Sequence, residues 1–383
     1  MPRRSVVDLP PSSIRMMFNE AAGKEDVVHL SIGQPDFSTP GPVIDAMVQA
    51  LHDGKTRYAL DSGVPEFREA IGGYYERTQG VQVHPEEILV TDGAVEAITL
   101  TLQAFISPGD EVILLEPAFV VYAPFIQMIG GVPVSVVTRV EDGYIPDPSA
   151  VEAAVTPRTR MILVNSPCNP TGSTYPVEVL RELAAVARRH GLLLGSDEVY
   201  EQLVYDHEGN YPSMLTLEPD RNRLFVFHSL SKTYAMTGIR VGWVVTGNSN
   251  WRLLQKLHTF TTTVANTPGQ WAGIEALTGD QSFISPMVSE YRERRNLALD
   301  LLRDIPHLSS YTPGGAFYIF PRYDLDLDAD TFCLRLLEEA RVCCIPGTGF
   351  GDSCRRAFRI SYAVGPDTIR EGLRRIRQWL TRF

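Results

Sequence analysis

Between about Glu87 and Val245 the chain alternates near-continuous apolar runs with segments of helical spacing, a pattern that few folds accept. The runs are Ile88-Leu89-Val90, Val112-Ile113-Leu114-Leu115, Val134-Ser135-Val136-Val137, Met161-Ile162-Leu163-Val164, Leu192-Leu193-Leu194, Phe225-Val226-Phe227 and Val241-Gly242-Trp243-Val244-Val245. Most are apolar at successive positions, as strands buried on both faces are. Between them, Val95–Phe105 and Pro176–His190 space their apolar residues as helices do, the second with a proline near its first turn. This alternation predicts an α/β fold whose mainly parallel seven-stranded sheet is flanked by helices.

After Asp280 the pattern changes. The spacing predicts a charged amphipathic helix over about 285–303, a strand at 316–320, a helix at 330–341, strands at 342–345 and 358–361, and a last helix over 366–382. These form a smaller α+β domain, completed by residues near the N-terminus. The expected division is an N-terminal arm with part of the small domain (1–40), a large domain (41–280) and a small C-terminal domain (281–383). No internal repeat or Gly/Ser linker interrupts it.

A chain of 383 residues with 44% hydrophobic content buries a large core. Its net charge of −11 disfavours binding to nucleic acid or an anionic membrane through bulk charge. No apolar run approaches the about 20 residues that a membrane span needs. Met1-Pro2-Arg3-Arg4-Ser5 is basic, but Asp8 and two prolines follow instead of a signal core, so secretion is disfavoured. The five cysteines include no C-x-x-C pair, and Cys343-Cys344 lies in an apolar run where thiols act as small hydrophobes. No metal site is expected, and a reducing cytoplasm fits.

In open α/β sheets, ligands bind beyond the carboxyl ends of the strands. Gly93-Ala94 follows one strand, Asn165 through Asn169 a second, Asp197 and Tyr200 a third, and Ser229 through Lys232 a fourth. Four such clusters point to one shared site. In Ser229-Leu230-Ser231-Lys232, one lysine stands among hydroxyls, with Arg240 eight positions on. An amine of this kind forms a Schiff base with an aldehyde. Ser229, Ser231 and Arg240 supply hydroxyls and a fixed positive charge for a phosphate. Pyridoxal 5'-phosphate (PLP) calls for both.

The chain resembles the class I/II aminotransferases of PLP fold type I, most closely in pattern the prokaryotic broad-specificity aspartate/aromatic branch. The motifs are Ser31-Ile32-Gly33-Gln34-Pro35-Asp36-Phe37, Asn165-Ser166-Pro167-Cys168-Asn169-Pro170-Thr171-Gly172, Ser196-Asp197-Glu198-Val199-Tyr200, the lysine segment, Gly314-Gly315-Ala316-Phe317-Tyr318 and Phe358-Arg359-Ile360-Ser361-Tyr362. They run in order along nearly the whole chain.

The resemblance implies that Lys232 is the Schiff-base lysine, and that its freed amine then moves the substrate proton. A buried amine beside cationic groups has a lowered pKa, which helps that step. Asp197 pairs with the pyridine nitrogen, while Tyr200 and Asn169 hydrogen-bond the cofactor's phenolic oxygen. Gly93, Ala94 and Val95 open a helix whose backbone amides point at the phosphate. Val95 stands where the family often has a polar side chain. Phe119 stacks on the cofactor ring.

Arg359 lies in an apolar strand context, where an unpaired charge is costly, so it should meet an anion. The resemblance makes that anion the substrate α-carboxylate, which the backbone at Gly33 also approaches. Tyr58 matches a tyrosine that reaches the phosphate of a neighbouring subunit, which implies a homodimer with shared sites. Asp61 and Ser62 depart from the residues usual in that loop and are candidates for specificity.

The implied reaction is PLP-dependent transfer of an amino group between an L-amino acid and a 2-oxo acid by a ping-pong mechanism. Two rival readings stand beside it. The same apparatus serves lyase, γ-replacement, cyclisation or carbon–carbon bond-forming chemistry, and the departures at Asp61, Ser62, Val95 and His228 leave that open. The other is a non-catalytic aminotransferase-like regulatory domain, which the short N-terminal region and acidic balance disfavour.

Overall fold

The computed structural model describes residues 4–7, 9, 11–205, 207 and 210–383. The basic opening Met1-Pro2-Arg3 and Asp8 lie outside the described residues. The first strand, β1 (Val28–His29), belongs to the C-terminal part of the fold. The next seven build the main sheet: β2 (Ile88–Thr91), β3 (Glu111–Glu116), β4 (Val132–Val137), β5 (Thr159–Asn165), β6 (Leu193–Asp197), β7 (Leu224–Ser229) and β8 (Gly242–Val245). Their order is β2-β8-β7-β6-β5-β3-β4, with β3 through β7 in parallel pairings and β8 antiparallel to both neighbours.

Successive residues of a strand face opposite sides, and here both sides are core. Leu89, Val112, Leu114, Leu163, Phe225 and Phe227 pack on one side. Val90, Ile113, Leu115, Ile162, Leu194 and Val226 pack on the other. That double burial is the reason these strands read as continuous apolar runs. The edge strand β4 is only partly covered, exposing Val132 and Val137 near its two ends.

The parallel register brings the carboxyl ends together. Asn165 at the end of β5 stands opposite Asp197 at the end of β6, and Asp197 opposite Phe227 in β7. A helix, Ala94–Phe105, leaves the same edge after β2, starting behind Gly93 at φ +86°, a left-handed conformation that favours glycine.

The remaining strands are short: β9 (Leu308–Ser309), β10 (Tyr318–Ile319), β11 (Arg322–Tyr323), β12 (Val342–Cys343), β13 (Ile345–Pro346) and β14 (Phe358–Ser361). β10, β14 and β13 form an antiparallel sheet, and β12 pairs in parallel with β1. The strand expected over 342–345 is thus two, because the chain changes partner at Cys344, and the one expected over 316–320 narrows to Tyr318–Ile319. The helices Ile284–Arg303, Ala329–Ala340 and Pro366–Leu380 match expectation. Asp328 caps the second by accepting from the Thr331 amide at 2.9 Å.

Among the described residues, no helix is long and apolar enough to cross a membrane. Nor does any group of three or more His, Cys, Asp or Glu form a metal-binding cluster there. All five cysteines are free and buried.

Candidate active site

A cavity of about 350 Å³ opens at the carboxyl ends of β2, β5, β6 and β7. It gathers Gly33, Ala94, Val95, Phe119, Asn169, Asp197, Tyr200, Ser229, Ser231, Lys232, Arg240 and Arg359, which the sequence scatters over more than three hundred positions. Gly93 borders it at the start of the helix Ala94–Phe105.

Lys232 Nζ donates to the Gly33 carbonyl at 2.6 Å and lies 5.5 Å from the Tyr200 ring centroid. Burial lowers its pKa to about 8; the positive charge of Arg359 adds to this, and the Asp197 carboxylate opposes it. At that value a large share of the amine is neutral near pH 8, so it is a competent nucleophile and proton carrier.

Asp197 is buried at the end of β6, and desolvation raises its pKa. A hydrogen bond from the Tyr122 hydroxyl and the positive charge of Lys232 work the other way. Its backbone is fixed from below: Asn165 Nδ2 donates to the Asp197 carbonyl at 3.0 Å, and Asn165 Oδ1 accepts from the Asn169 amide at 2.9 Å. One asparagine therefore spaces the turn carrying Asn169 from the strand carrying Asp197.

Arg359 on β14 is only 1% exposed. Nη1 donates to Asn169 Oδ1 at 2.9 Å and Nη2 to the Ser31 carbonyl at 2.8 Å, while the guanidinium sits 4.4 Å from the Tyr318 ring centroid. Neither hydrogen-bonding partner carries a charge, and among the described residues the buried Nε has no hydrogen-bond partner. Burial pulls the pKa down, and the nearby tyrosines hold it up. Among the described residues this desolvated cation has no counter-ion, which invites an anionic ligand.

At the other end of the cavity, Ser229 Oγ and Ser231 Oγ lie 2.8 Å apart, and Ser229 Oγ also donates to the Val241 carbonyl at 2.9 Å. Arg240 holds the Thr237 and Asp92 carbonyls at 2.9 and 3.1 Å. A Cβ on residue 93 would fall 2.4 Å from Arg240 Nη2, so glycine there lets the guanidinium reach the helix N-terminus. Hydroxyls, guanidinium and free helix amides converge on one spot, an arrangement suited to a phosphate.

Two tyrosines of the cavity region carry no sequence signal of a role. Tyr122 stands three residues after Phe119, its ring edge-on to that phenylalanine at 5.6 Å, and reaches Asp197. Tyr318 lies 2.9 Å from the Tyr200 hydroxyl and beneath Arg359. A Cβ on residue 33 would come 2.9 Å from its hydroxyl, so the Gly33 backbone passes close over it.

Tyr58 is 86% exposed and does not line this chain's cavity. Neither do Asp61 and Ser62: Asp61 accepts from Gln255 and Thr259 at 2.7 and 2.8 Å, and Ser62 is buried. His228 likewise faces away, stacked on Trp243 at 4.6 Å with Nε2 2.9 Å from Glu201 Oε2. Of the departures from the family pattern, only Val95 reaches the cavity.

Known proteins resemble this chain over nearly its whole length. The family model described as aminotransferase class I and II matches residues 25–376. A probable aspartate/prephenate aminotransferase of Thermus aquaticus is 41% identical, with 93% of this chain and 92% of that protein covered. An aromatic-amino-acid aminotransferase of Thermococcus litoralis is 36% identical, over 97% and 96%. The solved structure of the Thermus thermophilus aspartate aminotransferase with maleate superposes with a TM-score of 0.94, at 38% identity and 99% coverage of both chains. The chain belongs to the class I and II aminotransferases, and its fold is PLP fold type I.

Proposed function

We propose that this aminotransferase binds PLP in the cavity and transfers an amino group between an L-amino acid and a 2-oxo acid by a ping-pong route. The observation that carries this reading is the meeting in one cavity of a neutralisable lysine, a buried carboxylate and an arginine that, among the described residues, has only uncharged hydrogen-bond partners. The residues fit the cofactor. Ser229, Ser231, Arg240 and the amides of Gly93, Ala94 and Val95 would hold its phosphate. Phe119 would cover its ring, Asp197 would face its pyridine nitrogen, and Tyr200 and Asn169 its phenolic oxygen. When bound, PLP supplies an aldehyde and a ring that accepts the electron pair released at the substrate α-carbon.

The chain's own groups do the rest. Arg359 grips the α-carboxylate, with Asn169 and the Ser31 carbonyl fixing the plane of its fork. Lys232 Nζ, beside the Gly33 carbonyl, takes the α-proton and delivers it again. Asp197, held by the Tyr122 hydroxyl, would as a carboxylate favour protonation of the ring nitrogen it faces.

In the same reading residues 41–280 form the large cofactor-binding domain, 1–40 the N-terminal arm and part of the small domain, and 281–383 the small C-terminal domain that carries Arg359. The protein acts in the cytoplasm, to which its buried free thiols are suited. It works as a homodimer, supported by exposed apolar side chains at Ile44, Val48, Leu51, Leu60, Leu253 and Phe260 and by the exposed Tyr58. Tyr58 would then complete the phosphate site of the second copy. The test is product analysis with PLP-loaded enzyme: a 2-oxo acid and the aminated cofactor in equal amounts support transamination. Eliminated or cyclised product without aminated cofactor would replace it.

A further inference from the structure

The charge inventory of the cavity bears on which amino acids it takes. Among the described lining residues there are three cations, Lys232, Arg240 and Arg359, and one carboxylate, Asp197. On the reading above, each cation already has a partner: the cofactor's aldehyde, its phosphate and the substrate α-carboxylate. The wall left for the substrate side chain is mainly apolar. Ile14 comes from the helix Ser13–Ala21, Ile32 from the segment after β1, and Val95 and Ile98 from the first turns of the helix Ala94–Phe105, three apart and so on one face. Gln34 and Thr237 add only neutral polarity. The charged side chain in the first turn of Ala94–Phe105 is acidic, Glu96.

We infer that the site takes amino donors and 2-oxo acids with apolar side chains, aliphatic or aromatic, and discriminates against those that carry a second carboxylate. This rests on the assignment of Arg359 to the α-carboxylate. A second carboxylate placed against isoleucine and valine gives up its hydration and, among the described lining residues, meets no cation that lacks a partner. A phenyl or branched alkyl group in the same place gains burial. Val95 is the pivot, 37% exposed and at the cavity wall, where a longer basic side chain would have room to enter.

The experiment uses PLP-loaded enzyme and follows the amino-donor half-reaction by cofactor absorbance for phenylalanine, leucine, aspartate and glutamate. Two unreactive analogues, 3-phenylpropanoate and succinate, are titrated by calorimetry. The expected result is a kcat/KM on the order of 100-fold higher for the apolar donors, the scale set by an unpaired polar group in a closed site. Tighter binding of 3-phenylpropanoate is expected alongside. Val95→Lys is expected to raise kcat/KM for aspartate at least about ten-fold and to lower that for phenylalanine. Aspartate within a few-fold of phenylalanine, or succinate bound as tightly as 3-phenylpropanoate, would overturn the inference while leaving transamination intact; a cation brought by a partner subunit would give that result. A Val95→Lys enzyme with unchanged aspartate turnover would count against this wall as the side-chain site. Failure of all four donors to convert the cofactor would instead strike the aminotransferase reading beneath it.

Discussion

Replacing Arg359 by lysine isolates the carboxylate grip from everything else in the site. The guanidinium spends Nη1 on Asn169 and Nη2 on the Ser31 carbonyl, and offers the rest of its fork to the cavity. An ammonium on a lysine stem keeps the charge but loses the planar two-donor face. With Asn169 and Ser31 still to satisfy, it retains at most one bond for the substrate. Losing one charge-assisted hydrogen bond costs ~1.5–3 kcal/mol. Losing the guanidinium against Tyr318, now at 4.4 Å, adds ~0.5–1 kcal/mol. The sum of ~2–4 kcal/mol corresponds to a roughly 30- to 900-fold fall in kcat/KM for α-amino acids. The assay compares steady-state kinetics with PLP affinity by absorbance titration, which should change less than about three-fold because the phosphate groups lie elsewhere. A primary amine without a carboxylate serves as control and is expected to be an equally poor donor with both enzymes. Kinetics within about five-fold of the parent, or an equal loss in PLP affinity, would refute the assignment.

Lys232→Ala is expected to abolish turnover while PLP still binds, and borohydride reduction of the parent enzyme should leave the pyridoxyl group on Lys232; label on another lysine would refute this role. Asp197→Ala is expected to cost ~3 kcal/mol or more in turnover and far less in phosphate affinity, as stopped-flow and equilibrium dialysis would read; turnover within a few-fold would sink it. In the cofactor-free enzyme, Lys232 holds its pKa near 8 against 10.5 for an ordinary lysine, so between those values the unfolded chain binds the extra proton and this site's contribution to stability rises with pH. Urea unfolding should show that rise in the parent and its loss in Lys232→Met; identical slopes would refute it. Mixing Tyr58→Phe with Lys232→Ala subunits should restore parental PLP affinity at the site with the intact lysine, whereas the Tyr58→Phe homodimer loses ~1 kcal/mol; affinity that follows the lysine chain would make Tyr58 act in its own subunit.

The main sheet was legible because double burial writes itself into composition: Ile113 and Leu114 face opposite cores, and both must be apolar. The strand-end polar groups were legible for the same reason, since Asp197 or Lys232 beside such runs has no packing excuse. Two-residue strands such as β1 and β12 left no periodicity to read; their pairing is decided by what the rest of the chain brings alongside. Tyr122 and Tyr318 look like ordinary core aromatics, as their buried rings indeed are, and only the fold turns one hydroxyl to Asp197 and the other to Tyr200. The reverse holds for Asp61 and His228, whose unusual identities serve internal hydrogen bonds.

The pairing of β1 with β12, and of the Ser31 carbonyl with Arg359, has a consequence for biosynthesis. During translation the segment around Val28–Ser31 emerges long before its partners Val342, Cys343 and Arg359. The main sheet, whose strands all lie between Ile88 and Val245, has everything it needs to assemble well before then. Long-range closure is the slow part of such a topology. A stalled or truncated chain can therefore carry Lys232 on a formed sheet while having no arginine with which to select a substrate. The reactive amine and the group that disciplines it come together only after the chain has been made well past the sheet that carries Lys232.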